Sequence, residues 1–185
     1  APHAPCSGKN QAHGYKLVAV GNTFVFPMAG YSDKIKAVSE LKKGDTIAIP
    51  NDPTNLGRAL LLLQKEKLIT VKQDKGLLPT SIDITSNPLD LNIMELEGAQ
   101  LPHVLKDPKV TVAIISTTYL QQTGLSPVKD SVFIEDKESP YVNIIVTRED
   151  NKDAENVRDF VKSYESPEVA AAAQKIFNGG AVQGW

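Results

Sequence analysis

The fold of this chain is decided by one stretch: Thr46-Ile47-Ala48-Ile49-Pro50-Asn51-Asp52-Pro53-Thr54-Asn55-Leu56-Gly57-Arg58-Ala59-Leu60-Leu61-Leu62-Leu63-Gln64. Its first residues form a short apolar run of the strand type, and Pro50 ends that run. Capping residues follow, and after them comes a leucine-rich segment with helical spacing. The stretch therefore predicts a strand that turns directly into a helix packed on a sheet.

The start of this predicted helix is a candidate anion site. The first N–H groups of a helix have no intrahelical partners and carry the positive end of the helix dipole. A carboxylate could bind there, with Arg58 one turn into the helix and Asn51 and Asn55 close by. The alternative is that the polar residues only cap the helix and that Arg58 is a solvated surface side chain.

Composition narrows the function classes further. The chain has 185 residues, 41% hydrophobic and 23% charged, with a formal net charge of −2, which is typical of a soluble globular protein. No basic cluster with interleaved aromatic residues indicates nucleic-acid binding. No apolar run approaches the roughly 20 residues that a membrane span needs. One domain or two small lobes are expected from this length.

The single cysteine, Cys6, lies in a polar, proline-rich head, and residues 1–13 are predicted to be disordered. One cysteine allows neither an internal disulfide nor a cysteine-based metal site. Cys6 is interpreted either as an exposed tail residue or as the lipid-acceptor cysteine of a lipoprotein. In the second case the membrane is reached only through a lipid anchor.

Further along the chain, predicted strands and helices alternate, which indicates an α/β layered sheet. The run 110–116 is almost entirely apolar and predicts a central strand buried on both faces. A short surface helix is expected over 35–42, strands over 15–20 and 141–146, and two helices over 153–164 and 167–177.

Two polar residues lie at or within apolar strands. Ser116 is at the carboxyl end of the 110–116 run, where ligands collect in open α/β sheets. Asn143 lies inside the predicted strand 141–146 and needs a hydrogen-bond partner, because an unpaired buried polar group is costly. That partner is either the backbone or a ligand.

Catalysis finds little support in the sequence. The sequence has three histidines, but it has no serine in a nucleophile-elbow motif and no His/Asp/Glu set with the spacing of metal ligands. It therefore gives no candidate catalytic or metal site, and it contains no cofactor-binding motif. The carboxylates Glu135 and Asp136 lie in a charged turn and are expected to be solvated. We therefore expect a binding protein rather than an enzyme.

Several longer motifs resemble those of the NlpA/MetQ family, the methionine-binding lipoproteins of ABC importers. The matching segments cover the chain from about Asn10 to Trp185 and are Gly21-Asn22-Thr23-Phe24-Val25-Phe26-Pro27, Pro50-Asn51-Asp52-Pro53-Thr54-Asn55-Leu56-Gly57-Arg58, Glu95-Leu96-Glu97, Glu135-Asp136-Lys137-Glu138-Ser139-Pro140-Tyr141-Val142-Asn143 and Phe177-Asn178-Gly179-Gly180-Ala181.

The resemblance implies a periplasmic-binding-protein-like fold of type II, with two α/β lobes and a ligand cleft between them. Residues 14–32 and 139–185 would form the first lobe with the crossovers, and 33–138 the second. It further implies L-methionine, a related amino acid or a small peptide as ligand. Arg58 would grip the ligand carboxylate, and Asn51 and Asn143 would line the cleft. A permease and an ATPase subunit are the implied partners, at the periplasmic face of the cell membrane.

Two departures from the family pattern shape the expectations. Ser116 stands where methionine binders of the family carry asparagine, so a ligand contact there would be weaker or bridged by water. The family's N-terminal βαβ portion is not found in this sequence, so the first lobe is expected to be incomplete, with an open sheet edge. The alternative function is therefore a lipoprotein remnant with an interaction or structural role and no solute binding.

Overall fold

The computed structural model describes residues 14, 16–121, 123–136 and 140–185. The chain forms two compact units. The inserted unit consists of Met28–Glu135, and the terminal unit combines the described residues up to Pro27 with Asp136–Trp185. The chain thus leaves the terminal unit after Pro27 and returns to it at Asp136. The predicted head 1–13, including Cys6, lies outside the described residues.

The regular elements of the described residues alternate between strands and helices, which confirms the predicted α/β class. The strands are β1 (Leu17–Asn22), β2 (Phe24–Val25), β3 (Met28–Tyr31), β4 (Thr46–Pro50), β5 (Thr70–Val71), β6 (Ile84–Ser86), β7 (Asn92–Leu96), β8 (Val112–Ser116), β9 (Ser131–Ile134), β10 (Ile144–Arg148) and β11 (Val182–Gln183). The α-helices are α1 (Pro53–Lys65), α2 (Pro127–Asp130), α3 (Glu155–Tyr164) and α4 (Pro167–Ile176).

The inserted unit is built on a five-stranded mixed sheet in the order β7-β4-β8-β3-β9. Strand β4 runs parallel to β7 and β8, whereas β3 runs antiparallel to both β8 and β9. Every residue of β8 is buried, as the apolar run 110–116 predicts for a central strand. Helix α1 packs on this sheet through buried leucines.

Helix α1 begins as its sequence dictates. Pro53 occupies the first turn, where its missing N–H is no loss, and the Asp52 carboxylate accepts the backbone N–H of Asn55 at 3.0 Å. Leu56, Leu60 and Leu63 then share a buried face. The turn and the leucine spacing together fix where the helix starts and which side meets the sheet.

The terminal unit contains two small antiparallel pairs, β1 with β10 and β11 with β2. Its core is aromatic. Phe24 lies 5.0 Å from Trp185 between ring centroids, in an edge-to-face arrangement, and Phe26 lies 4.7 Å from Phe177. These contacts hold helix α4 and the C-terminal strand against β2.

The predicted helix over 35–42 is wrong. Only the three residues Val38–Glu40 form a 3₁₀ turn. The Ser32 hydroxyl and the Glu40 carboxylate accept backbone N–H groups of this segment, and these local bonds compete with helix formation. The strand predicted over 141–146 also shifts, because pairing with β1 begins only at Ile144.

Candidate functional site

One edge of the inserted sheet collects several of the polar residues that the sequence singles out. Because β4, β7 and β8 are parallel, their carboxyl ends meet at this edge. Strand β9, antiparallel to β3, ends there too, and β3 begins there. The edge therefore carries Asn51, Glu97, Ser116, Met28 and Glu135, and α1 starts from it. Open α/β sheets bind ligands at such carboxyl ends.

Arg58 is buried at this edge and is clamped by Glu135. The Arg58 Nε–H donates to Glu135 Oε1 at 2.7 Å, and Nη2–H donates to Oε2 at 2.5 Å. The two side chains are only 8% and 10% exposed. The alternative of a solvated Arg58 is thus excluded. The expectation that Glu135 is solvated is also wrong, because the pairing of β9 with β3 places its side chain against Arg58.

Glu135 is also fixed to the first residue of the inserted unit. Its Oε2 accepts the Met28 N–H at 2.9 Å, and its own N–H donates to the Met28 carbonyl at 3.0 Å. Met28 in turn is the strand partner of Ser116. A continuous line of contacts therefore runs from Ser116 through Met28 and Glu135 to Arg58.

Ser116 lies on this line at the end of β8, with 9% of its surface exposed. Its hydroxyl accepts a hydrogen bond from the Thr118 hydroxyl at 3.2 Å. The position is the one expected from the sequence, and its part in ligand contact stays a prediction.

Asn51 and Asn55 differ in what their side chains do. Asn55 completes the helix cap, since its amide donates to the Asp52 carboxylate at 3.0 Å. Asn51 follows β4 and is exposed, while its backbone N–H donates to the Leu96 carbonyl at 2.8 Å. Capping therefore accounts for Asn55 in this state, whereas the exposed Asn51 side chain is placed where a ligand could reach it.

Asn143 belongs to the terminal unit, and the expectation that it is buried within a strand is wrong. It is exposed and precedes β10 by one residue. Its amide donates to the Phe24 carbonyl at 3.1 Å, and its backbone carbonyl accepts the Thr23 N–H at 2.7 Å. The Asn143 side chain thus has a backbone hydrogen-bond partner, which is one of the two kinds of partner expected from the sequence.

The chemistry of this edge is that of ion pairing and hydrogen bonding. Within the described part of the chain, no group of three or more His, Cys, Asp or Glu residues could hold a metal ion.

At the opposite end of β3, burial and, secondarily, Asp130 raise the pKa of the Tyr31 hydroxyl well above its usual range, so it stays protonated. No helix among the described residues is long and apolar enough to cross a bilayer.

The fold is shared with solved substrate-binding proteins. The crystal structure of the methionine binding protein MetQ superposes with a TM-score of 0.90 at 61% identity, covering 100% of this chain and 76% of that one. A nutrient binding protein from Burkholderia cenocepacia bound to methionine gives 0.89 at 41% identity, covering 97% and 75%. The chain therefore has the fold of these substrate-binding proteins, as the sequence resemblance implies.

The sequence profile of the NlpA lipoprotein family matches residues 6–185, and the chain belongs to that family. It is 80% identical over 176 residues to Lipoprotein 28 of Escherichia coli K12, covering 95% of this chain and 65% of that protein. It is 64% identical over 172 residues to the D-methionine-binding lipoprotein MetQ of the same strain, covering 93% and 64%. The chain thus spans just under two thirds of the length of these relatives.

Proposed function

We propose that this protein is a solute-binding lipoprotein of an ABC importer that takes methionine, a related amino acid or a small peptide. The observation that supports this most directly is the buried guanidinium of Arg58 at the carboxyl edge of the inserted sheet, beside the start of α1. A buried arginine and a helix N-terminus are both suited to a carboxylate. The relatives named for methionine binding supply the ligand class.

In this proposal, Arg58 binds the ligand carboxylate, and Asn51 and Ser116 add hydrogen bonds at the same edge. Asn55 supports the turn through Asp52. Asn143, whose amide also donates to the Phe24 carbonyl, is kept as a predicted ligand residue. The arrangement binds a small zwitterion without changing it, since a hydrolytic or transfer reaction needs an activated nucleophile or a metal.

The partners and location follow the family. A membrane permease and an ATPase subunit would receive the ligand at the periplasmic face of the cell membrane, and lipid on Cys6 would supply the anchor. The formal net charge of −2 gives no reason to add nucleic acid to these partners. Mass spectrometry of the membrane-extracted protein would detect a diacylglyceryl adduct on Cys6, and an unmodified cysteine would remove this anchor from the proposal.

Isothermal titration calorimetry with L-methionine and D-methionine tests the binding proposal. We expect saturable binding by this chain and a loss of about 100-fold or more in Arg58→Gln, because a buried arginine–carboxylate contact is charge-assisted. Arg148→Gln is the matched control, since the Arg148 side chain is 69% exposed and pairs with Asp150. A folded Arg58→Gln variant with unchanged affinity would refute the role of Arg58.

The alternative is an interaction or structural role without solute binding. One observation favours it: the positive charge of Arg58 is already neutralised by Glu135. The same titration separates the two functions, because the alternative requires that the unaltered chain binds neither enantiomer of methionine.

A further inference from the structure

Arg58 does not act as an isolated cation. Its guanidinium shares two N–H groups with the Glu135 carboxylate, and both side chains are about nine-tenths buried. Within this pair the positive and negative charges lie side by side and sum to zero. A ligand that approaches Arg58 therefore meets a dipole, not a net positive charge.

The dipole acts differently on different ligands. A carboxylate that accepts an N–H of the same guanidinium lies roughly 4–7 Å from the Glu135 carboxylate, given ordinary hydrogen-bond lengths. At that separation in a poorly solvated site, like charges repel and opposite charges attract appreciably. A simple carboxylate is thus opposed by Glu135, whereas the ammonium group of an α-amino acid is attracted by it.

Glu135 is held in place independently of any ligand. The Met28 N–H donates to its Oε2, and its backbone N–H donates to the Met28 carbonyl, so both the side chain and the main chain are anchored. Because the carboxylate is fixed, it cannot turn away into solvent when a second anion arrives.

We propose that Glu135 is a specificity-determining residue that makes the site select zwitterionic α-amino compounds over simple carboxylates. The inference rests on the proposed function, because it requires that Arg58 receives the ligand carboxylate. It extends that function by assigning the selection between zwitterionic and simple anionic ligands to Glu135, whose sequence context indicates only a solvated turn.

A purely structural role for Glu135 predicts something different. If Glu135 only keeps Arg58 in place, its replacement weakens all carboxylate ligands by a similar factor. If Glu135 also senses the ammonium group, its replacement changes the ratio between ligands. The ratio is therefore the quantity to measure.

The experiment uses the full chain, unaltered and as Glu135→Gln, titrated with L-methionine and with 4-(methylthio)butanoate, which is methionine without its amino group. Glutamine keeps the shape and one acceptor oxygen for the Met28 N–H. We expect the unaltered chain to prefer methionine, and the preference to fall about tenfold or more in Glu135→Gln. Glu155→Gln, which replaces an exposed carboxylate outside the inserted unit, is the matched control and should leave the preference unchanged.

Three outcomes overturn the proposal. The first is an equal loss of affinity for both ligands in Glu135→Gln. The second needs no variant: equal affinity of the unaltered chain for methionine and its deaminated analogue shows that Glu135 does not discriminate, even if Glu135→Gln fails to fold. The third is that the unaltered chain binds neither ligand, in which case the proposed function fails as well; binding without discrimination refutes this inference alone.

Discussion

Removing one member of the Arg58–Glu135 pair should destabilise the inserted unit strongly. With side-chain exposures of 8% and 10%, neither charge is well solvated when the other is lost. Two unit charges about 4 Å apart interact by about 4 kcal/mol at an effective dielectric of about 20. Breaking a buried pair typically costs about 3–5 kcal/mol. We therefore expect Arg58→Met and Glu135→Leu each to lose about that much stability.

The double variant Arg58→Met/Glu135→Leu should lose only about 1–3 kcal/mol, because the Met28 N–H loses its hydrogen bond to Glu135 while no charge is left unpaired. It leaves no uncompensated charge, and apolar residues of similar volume often replace buried ion pairs without loss. The two single losses would sum to about 6–10 kcal/mol, so a double variant that loses only about 1–3 kcal/mol gives a large coupling energy.

Urea unfolding followed by far-UV circular dichroism measures these differences. Urea is preferred because it adds no salt that would screen the charges. Tryptophan fluorescence is unsuitable, because the single tryptophan, Trp185, lies in the terminal unit. Single variants that lose less than about 1 kcal/mol, or a double variant as unstable as the sum of the singles, would refute the description of Arg58–Glu135 as a buried, coupled pair.

Three further predictions concern the inserted unit. Gly57→Ala should lower the denaturation midpoint. Alanine in place of glycine stabilises a helix by about 1 kcal/mol, but the new Cβ would lie 2.5 Å from the Leu77 carbonyl oxygen, and overpacking costs about 1–3 kcal/mol. A raised midpoint would show that the loop 77–79 moves to accommodate the new methyl group. The Thr80 N–H and hydroxyl, with Lys75 and Lys72, lower the pKa of Asp83 in the folded state. The ionised Asp83 therefore stabilises the fold above about pH 4, and this stabilisation is lost as the pH falls through the lower folded pKa. The difference in stability between pH 7 and pH 3, measured from unfolding curves, should be smaller in Asp83→Asn than in the unaltered chain, and an unchanged difference contradicts this. Tyr31→Phe should raise stability by about 1 kcal/mol in thermal melts, because the buried Tyr31 hydroxyl has no hydrogen-bond partner among the described residues; a clear loss would reveal one.

The strand–turn–helix at the centre of the inserted unit was predictable because its signals are local. Pro50 ends β4, Asp52 caps α1 and Pro53 occupies its first turn, all within a few residues. The buried strand β8 was equally predictable, because an unbroken apolar run of this length is typical of a central strand buried on both faces. Local signals of this kind also carry the motifs on which the family resemblance rests.

Glu135 could not be predicted, because its partner is 77 residues away in sequence. Beside Asp136, it has the composition of a solvated turn. Only the antiparallel register of β9 on β3 places its carboxylate against Arg58. No periodicity or spacing within either segment contains that information.

The error at Asn143 has a different origin. The apolar residues around it suggest a strand that is buried throughout, but pairing with β1 starts one residue later. The backbone of Asn143 instead bonds to Thr23 and Phe24, and the side chain stays exposed. Strand boundaries depend on the partner strand, which the sequence of one segment does not specify.

The insertion of one unit into the other has a consequence for synthesis on the ribosome. The inserted unit is a single continuous segment, Met28–Glu135, and its first and last residues are joined by backbone hydrogen bonding. It can complete its sheet as soon as Glu135 leaves the exit tunnel. Strand β1 is made earlier but must wait for β10, since Leu17 pairs with Arg148. In the nascent chain, the inserted unit should therefore be folded while strand β1 is still unpaired.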